Sequence, residues 1–175
     1  MPTDFLSGLF EQALVLVKEN IALVEPLVFF LGFAESTMFL SLLVPSSVLF
    51  LGIGGIHSAA GGDFLSVVAA ASAGALLGDV GSFALGRYFK DDIKQWWPLN
   101  KHPEWYAGAR IYVDRWGGPG IIFSKFFGFL RPFAPALAGA GGMKWSVFLI
   151  ASPISCALWA ATFLAPGYGI SLLFF

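Results

Sequence analysis

The most restrictive feature of this sequence is a long segment without basic residues. Between Lys18 and Arg87, no lysine or arginine occurs in 68 consecutive residues. Soluble protein surfaces do not leave such a gap, whereas a bilayer core imposes one because each charge there costs about 2.5–3.5 kcal/mol. Charged residues make up 12% of the chain, against roughly a quarter in soluble domains. The sequence therefore predicts an integral membrane protein.

Charge, cysteine and histidine content exclude several classes of function. The net charge of −1 provides no basic field, so a nucleic-acid partner is not expected. Cys156 is the single cysteine, which rules out an intramolecular disulfide and predicts a small buried hydrophobe. The two histidines, His57 and His102, lack metal-site spacing. We expect no metal and no other cofactor.

The first half of a single membrane domain, residues 1–175, contains one broken apolar segment and one span. Residues 1–25 have an amphipathic pattern that predicts an N-terminal interfacial helix. In residues 26–89, Pro45 interrupts an apolar segment, and residues 64–89 are long enough to cross the membrane. Small residues recur there every four positions, which favours close helix packing.

The second half repeats this order after an interfacial segment. Residues 90–119 mix charged residues with tryptophan and tyrosine, a composition typical of the membrane surface. Six of the ten basic residues lie within 87–115, which predicts a cytoplasmic location. Residues 120–170 then contain a segment broken at Pro132 and Pro135, followed by a span predicted to end at Pro166.

Irregular backbone at membrane depth survives only where protein or a wet cavity surrounds it, so we interpret both broken segments as re-entrant hairpins. A shift of 90 positions aligns Pro45 with Pro135 and Gly52 with Gly142. One span between two hairpins places them in opposite orientations. The predicted fold is an all-α polytopic membrane protein, with two opposed re-entrant helical hairpins and spanning helices in an inverted repeat, and with amphipathic interfacial helices.

Four ionisable residues remain inside the presumed bilayer zone: Glu35, Asp79, Lys125 and Arg131, with Arg87 at a helix end. Intramembrane charges are functional hypotheses by default. The alternative is that they form structural ion pairs or that the basic ones reach the headgroups. Two acids in the first half and two bases in the second half suit a cavity for an anion and a proton.

The residue types suggest how such a cavity would work. An arginine fork matches phosphate oxygens and a lysine adds a point charge, so Arg131 and Lys125 are candidates for binding a lipid phosphate. A carboxyl group in an apolar site exchanges protons near neutral pH, which makes Glu35 and then Asp79 candidates for proton coupling. Helix N-termini at the Pro45 and Pro135 breaks would add donors.

Ordered motifs in residues 27–170 resemble the DedA family of membrane proteins, in the SNARE-associated or VTT-domain superfamily. The stretch from Gly128 to Gly169 looks most like the DedA domains that are joined to lipid phosphatases. The motifs are Phe33-Ala34-Glu35-Ser36, Pro45-Ser46-Ser47, Gly74-Ala75-Leu76-Leu77-Gly78-Asp79, and Phe126-Phe127-Gly128-Phe129-Leu130-Arg131-Pro132.

The resemblance implies opposed re-entrant hairpins and movement of lipids between leaflets, driven by the proton motive force. Undecaprenyl phosphate is the implied substrate for a bacterial inner-membrane member. The family's membrane acids correspond to Glu35 and Asp79, and its hairpin bases to Lys125 and Arg131. Another spanning helix is expected after Phe175, so we expect either a homo-oligomer or a longer natural chain.

Other functions remain open at the level of sequence. A nonselective phospholipid scramblase, a proton-coupled transporter of small ions or solutes, and a non-transporting assembly factor would all accommodate buried charges. A lipid phosphatase is disfavoured because the segment from Lys125 to Arg131-Pro132 is one residue short of that enzyme motif, and no histidine follows His102. We expect a transporter that is not an enzyme.

Overall fold

The computed structural model describes residues 15, 19–37, 46–95, 100–101, 103–127 and 130–174, and these contain helices and turns but no β-strand. The helices are α1 (Val24–Ser36), α2 (Ser46–Ala59), α3 (Phe64–Phe89), α4 (Pro103–Ser124), α5 (Ala134–Ala140) and α6 (Trp145–Phe174). Short 3-10 helices occupy Ile21–Leu23 and Lys90–Gln95. The predicted all-helical class is confirmed.

Among the described residues, two helices are long and apolar enough to cross a membrane, Phe64–Phe89 of α3 and Trp145–Gly169 of α6. The 26 residues of α3 extend about 39 Å, compared with about 30 Å for a hydrocarbon core. The Asp63 carboxylate caps its first turn by accepting a hydrogen bond from Ser66 N at 2.7 Å. The prediction of two spanning-length segments is confirmed.

The two long helices contact each other, and the shorter helices pack around them. Helix α1 packs mainly against α3, and α2 mainly against α6. In the second half α4 packs against both α5 and α6, while α5 packs mainly against α3. Each long helix is therefore covered by the first short helix of its own half of the chain and by the second short helix of the opposite half.

Small residues on α3 allow these close approaches, as their four-residue spacing predicts. A Cβ atom added to Gly74 would overlap the backbone of Phe29 on α1, and one on Gly86 would overlap the Ala136 carbonyl on α5. Reciprocally, a Cβ on Gly139 of α5 would overlap the backbone of α3 at Phe83. The two backbones touch because neither glycine has a side chain.

The contact between α2 and α6 has the same reciprocal form. A Cβ on Gly54 would lie 2.7 Å from the Leu164 carbonyl oxygen, and one on Gly167 would overlap the carbonyl of Leu51. In both helix pairs, each glycine faces the residue three positions before the other glycine. This relationship joins the second short helix of one half to the C-terminal part of the long helix of the other half.

The predicted breaks have different outcomes. Pro45 lies outside the described residues. Pro132 lies in the non-helical turn between α4 and α5 and is buried. Pro135, which was predicted to be a break, instead lies in the first turn of α5. Proline is tolerated there because the first amide groups of a helix have no intrahelical acceptor, so Pro135 helps to begin the helix.

Two boundaries also differ from the predictions. Helix α6 continues through Pro166 to Phe174, where the sequence predicted an end, because α2 packs closely against this part of the helix around Gly167. Helix α4 runs across the predicted boundary at residue 119 but is kinked, since Gly117 has a φ of 53° and Pro119 lies within the helix. Most of the predicted N-terminal helix, residues 1–14 and 16–18, lies outside the described residues.

Candidate functional site

The structure brings Glu35, Asp79, Lys125 and Arg131 together in what we call the central cluster. Their exposed fractions are 2%, 0%, 2% and 8%. Asp79 lies 15 residues after the start of α3 and 10 before its end, or about 22 and 15 Å along the helix axis. The central cluster is therefore near the middle of the spanning helices and is contributed by both halves of the chain.

Lys125 and Asp79 form the first ion pair of the central cluster. The lysine Nζ lies 3.0 Å from Asp79 Oδ1 and donates a second hydrogen bond to Ser36 Oγ at 2.9 Å. Lys125 occupies the turn directly after α4, whereas Asp79 projects from α3 and Ser36 ends α1. One ammonium group thus connects three separate elements of the fold.

The second oxygen of Asp79 is bound by helix α6. Ser152 donates a hydrogen bond from its hydroxyl to Asp79 Oδ2 at 2.8 Å, and the Cys156 thiol donates to the same oxygen at 3.4 Å. Ser152 and Cys156 are one helical turn apart and therefore lie on the same face of α6. Both carboxylate oxygens of Asp79 are thus satisfied, which compensates for burying its charge.

Arg131 and Glu35 form the second ion pair, between Arg131 Nη1 and Glu35 Oε1. Arg131 Nε also donates a hydrogen bond to the backbone carbonyl of Lys125 at 3.0 Å. This hydrogen bond connects two residues of the turn between α4 and α5. It therefore ties the Arg131 side chain to the backbone of the residue that carries the other base.

Trp159 of α6 lies beside both bases. Its ring centre is 5.7 Å from Lys125 Nζ and 5.4 Å from Arg131 Cζ, and the Phe163 ring is 5.5 Å from the same guanidinium carbon. Cations at these distances from aromatic rings are attracted by the ring quadrupole. Phe50 of α2 packs edge-on against Trp159 at 5.0 Å, so the aromatic wall of the cluster also involves the first half.

Two buried polar atoms at this site have no hydrogen-bond partner within the described residues. They are Glu35 Oε2 and Trp159 Nε1. Buried polar atoms are normally paired, so each such atom requires an explanation such as a ligand or water. One is an acceptor and the other a donor, and both belong to side chains that contact Arg131. Glu35 Oε2 can therefore accept a proton, and Trp159 Nε1 can donate a hydrogen bond to an anionic oxygen.

The four charges of the central cluster balance, with two acids and two bases. Removing one member would leave an opposite charge buried without compensation, which is strongly unfavourable. A bound anion would compete with the carboxylates for Arg131 and Lys125, whereas a proton on a carboxylate would weaken its hold on the bases. A monoanion that enters together with one proton would therefore leave the net charge of the central cluster at zero, whereas the anion alone would leave a net negative charge.

Arg87 does not join the central cluster. It lies eight residues beyond Asp79, about 12 Å along α3, where Arg87 Nη1 donates a hydrogen bond to the Met143 carbonyl at 2.8 Å. This bond ties the end of α3 to the turn before α6. The hypothesis of a secondary role in the same cavity therefore has no geometric support from this position.

Sequence reasoning missed four residues of the site, Ser36, Ser152, Cys156 and Trp159. Cys156 is buried as predicted, but it contacts a carboxylate and is not surrounded only by apolar groups. The available signal was the spacing of Ser152, Cys156 and Trp159 at four and three residues, which places them on one helical face. Ser36 follows Glu35 directly and gave no signal of its own.

Comparisons with known proteins show what this chain is similar to. Residues 44–169 match the VTT domain family. The chain is similar to the inner membrane protein YabI of Escherichia coli, with 29% identity over 136 residues and 78% of this chain covered. It is 28% identical over 136 residues to the uncharacterized membrane protein BU139 of Buchnera aphidicola. Protein DedA of Escherichia coli is 27% identical over 175 residues, covering 94% of this chain.

The extent of these matches differs among the relatives. The chain spans about half the length of YabI and BU139, 54% and 53%, and 77% of the length of DedA. No solved structure gives a significant match.

Proposed function

Because the chain belongs to the VTT-domain family of membrane proteins, the DedA family, we propose that it moves a lipid with a phosphate headgroup, such as undecaprenyl phosphate, between leaflets with coupling to protons. The proposed activity has no covalent step and uses no cofactor, so the protein is a transporter and not an enzyme. Membrane lipids are its proposed partners.

The observation that carries this proposal is the pairing of two buried bases with two buried acids in the central cluster. Arg131 and Lys125 are two neighbouring hydrogen-bond donors, which suits the several oxygens of a phosphate group. In the absence of phosphate, Glu35 and Asp79 neutralise them. A phosphate headgroup would replace the carboxylate of Glu35 on Arg131. Trp159 Nε1, which has no hydrogen-bond partner among the described residues, would be an additional donor.

Proton coupling follows from this exchange. When phosphate replaces Glu35 on Arg131, the displaced carboxylate becomes a buried charge without a counter-ion unless it takes up a proton. Glu35 is the proposed proton carrier because its Oε2 atom is without a partner in the described structure. Asp79 is held by Lys125, Ser152 and Cys156, which makes it the second candidate.

The proposed movement uses two opposed re-entrant hairpins related by an inverted repeat. The reciprocal glycine contacts support this arrangement, because Gly86 meets α5 in the same manner as Gly167 meets α2. Corresponding contacts on opposite sides of one buried charge cluster suit alternating access, in which each half rocks against the other. The hydrocarbon tail would remain in the bilayer.

The proposed location is the bacterial inner membrane, with the interfacial segment 90–119 in the cytoplasm. The positive-inside rule supports this orientation, and the relative YabI is named an inner membrane protein. A homo-oligomer of the chain is also proposed. Cross-linking in native membranes would test this assembly independently of transport.

The test is headgroup translocation in proteoliposomes. Fluorescent polyprenyl phosphate and fluorescent phospholipids are followed with and without a pH gradient, for the wild type and for Glu35→Gln and Arg131→Ala. Arg115→Ala is the matched control, because Arg115 stacks on Trp116 at 5.9 Å outside the central cluster. We expect selective, gradient-dependent movement of the prenyl phosphate that both cluster variants abolish and that the control retains.

The other outcomes identify the alternative functions. Movement of every lipid irrespective of the gradient would make the protein a scramblase. Flux of small anions without lipid movement would make it a proton-coupled solute transporter. Absence of any flux from folded wild-type protein would favour an assembly factor, in which the charges of the central cluster are purely structural. A double variant, Glu35→Gln with Arg131→Gln, covers the case in which Arg131→Ala fails to fold.

A further inference from the structure

Helix α4 ends at Ser124, and both Ser124 and the following Lys125 are buried. The last carbonyl groups of a helix lack intrahelical partners, so buried ones need donors from elsewhere. The amide of Phe126, which would reach Ile122 in a continuing α-helix, donates instead to Phe123 O at 3.1 Å. The carbonyl of Ile122 therefore requires a donor from another part of the fold.

Ser155 of α6 supplies this donor. Its hydroxyl lies 3.0 Å from Ile122 O and 3.1 Å from Ile121 O, and its side chain is fully buried. Ile121 O also accepts a hydrogen bond from Ser124 Oγ at 2.8 Å, so the carbonyl of Ile122 depends more on Ser155 than that of Ile121 does. One hydroxyl group of α6 thus completes the hydrogen bonding at the end of α4.

Lys125 is the base that could otherwise satisfy these carbonyls. Lysine side chains at the end of a helix can donate to its last carbonyls, and Ile122 and Ile121 lie three and four residues before Lys125. In the structure the ammonium group instead donates to Asp79 Oδ1 at 3.0 Å. Because Ser155 already satisfies Ile122 O, the ammonium group is available to Asp79.

The same turn of α6 holds the other member of this ion pair. Ser152 lies three residues before Ser155, on the same side of the helix, and donates to Asp79 Oδ2 at 2.8 Å. Ser152 therefore orients the acid, while Ser155 leaves the base free to meet it. Two serine hydroxyls of one helical turn together determine where Lys125 and Asp79 make contact.

We propose that Ser155 is a positioning residue, which keeps Lys125 directed to Asp79 and, once Asp79 has moved away, to the phosphate headgroup. Ser155, α4 and Lys125 belong to the second half of the chain, whereas Asp79 belongs to the first. The contact between Ser155 and α4 is therefore kept when the halves separate. The effect of Ser155 on phosphate binding rests on the proposed function, whereas its effect on Asp79 rests on these contacts alone.

Infrared spectroscopy of Ser155→Ala tests the effect on Asp79 without any lipid. The purified protein, with isotope-labelled aspartate carboxyl groups, is measured at neutral pH in a detergent that has no ester groups. If Lys125 turns back to Ile122, Asp79 loses its counter-ion and takes up a proton. The carbonyl stretch of a protonated, labelled carboxyl group should then appear. Lys125→Met gives the reference spectrum, and adding Asp79→Asn should remove the band.

Cys156 provides a second spectroscopic readout. Its thiol donates to Asp79 Oδ2 at 3.4 Å, and it is the single cysteine of the chain, so the S–H stretch belongs to this residue alone. A proton on Asp79 weakens this hydrogen bond. The S–H band of Ser155→Ala should therefore shift to higher frequency, towards that of Lys125→Met. The loss of a purely structural hydrogen bond at the end of α4 would change neither readout.

The end of α4 also offers a matched control. Ser124→Ala removes a hydrogen bond from the same helix end but leaves Ile121 and Ile122 with the Ser155 hydroxyl, so both spectra should remain those of the wild type. Ser155→Thr keeps a hydroxyl and should also retain them. If Ser155→Ala fails to fold, Ser155→Cys, which has a weaker donor in a similar volume, replaces it with the carboxyl band as the readout.

Transport kinetics test the effect on phosphate binding. Ser155→Ala should raise the apparent KM for polyprenyl phosphate about fivefold with an unchanged maximal rate, which corresponds to about 1 kcal/mol for one hydrogen bond. Ser124→Ala should leave the KM unchanged. An unchanged KM in Ser155→Ala despite both spectral changes would overturn the role of Lys125 in the proposed function and leave its positioning at Asp79 standing.

The spectra decide the positioning role itself. Folded Ser155→Ala with the carboxyl and S–H bands of the wild type would overturn it, whatever the transport assay shows. A carboxyl band that persists after Asp79→Asn is added would also overturn it, because the proton would then lie on another aspartate.

Discussion

Lys125 and Asp79 lie 46 residues apart in the chain, yet Lys125 Nζ is 3.0 Å from Asp79 Oδ1 in the middle of the helix bundle. The lysine comes from the broken segment of the second half and the aspartate from the spanning helix of the first half. The ion pair therefore fixes one half against the other at membrane depth. Any motion that separates the halves must break this pair or replace one of its partners.

We expect Asp79→Asn to lower the free energy of unfolding by about 3–5 kcal/mol, because it leaves the Lys125 ammonium buried without a counter-ion. The double variant Asp79→Asn with Lys125→Met should recover most of this loss. Unfolding by titration with sodium dodecyl sulfate in mixed micelles measures both. Asp114→Asn is the control, since Asp114 is half exposed and an exposed pair contributes about 0–1 kcal/mol.

Arg131→Lys should raise the apparent KM for polyprenyl phosphate about tenfold. Lysine keeps the charge but loses the planar fork and the Nε hydrogen bond to the Lys125 carbonyl. Initial rates of headgroup translocation at several lipid concentrations give this value, with Arg115→Lys as control. An unchanged KM with a lower maximal rate would contradict a role of Arg131 in binding the phosphate.

Cys156 is the single cysteine of the chain, so it reports on access to the central cluster without engineering. Because it is buried beside Asp79, a small methanethiosulfonate reagent should label it slowly at rest and faster when polyprenyl phosphate is added. Leu158→Cys in a Cys156→Ser background is the control, since position 158 is 48% exposed. If lipid accelerated both sites equally, the change would reflect general loosening of the bundle.

Gly86→Ala should destabilise the protein by about 1–3 kcal/mol, because its methyl group overlaps the Ala136 carbonyl and separates α3 from α5. Gly81→Ala lies on the same helix with open space around the added methyl group, and should be neutral or stabilising. Thermal unfolding followed by tryptophan fluorescence compares the two. Equal melting temperatures would show that the backbones of α3 and α5 are not in close contact.

The corresponding contact of Gly54 and Gly167, between α2 and α6, gives a related comparison on the other side of the central cluster. Gly54→Ala should resemble Gly86→Ala in sign and size, and Gly52→Ala, which also has open space around it, is its control. A marked difference between Gly54→Ala and Gly86→Ala would argue against equivalent roles for the two contacts in an inverted repeat.

The sequence by itself determined that the chain belongs in a membrane and that Glu35, Asp79, Lys125 and Arg131 require an explanation. A bilayer tolerates few charges and sets the length of a span, so hydropathy and charge spacing are sufficient for those conclusions. Hydropathy and charge spacing also predicted a span over residues 64–89, which is the range of α3 in the structure. The four-residue spacing of small residues on α3 was also sufficient to predict close helix packing, because this pattern can be recognised within one segment of the sequence.

Only the tertiary structure decided which acid meets which base. Lys125 reaches Asp79 because the α4–α5 turn enters the space between α3 and α6, and no local pattern encodes that distance. The sequence analysis also did not predict that Ser152, Cys156 and Trp159 belong to the site, since apolar and small residues on one face of a helix are normally interpreted as part of the core. The continuation of α6 through Pro166 depended on packing against α2, because tertiary contacts outweigh the helix-breaking tendency of a proline in a buried bundle.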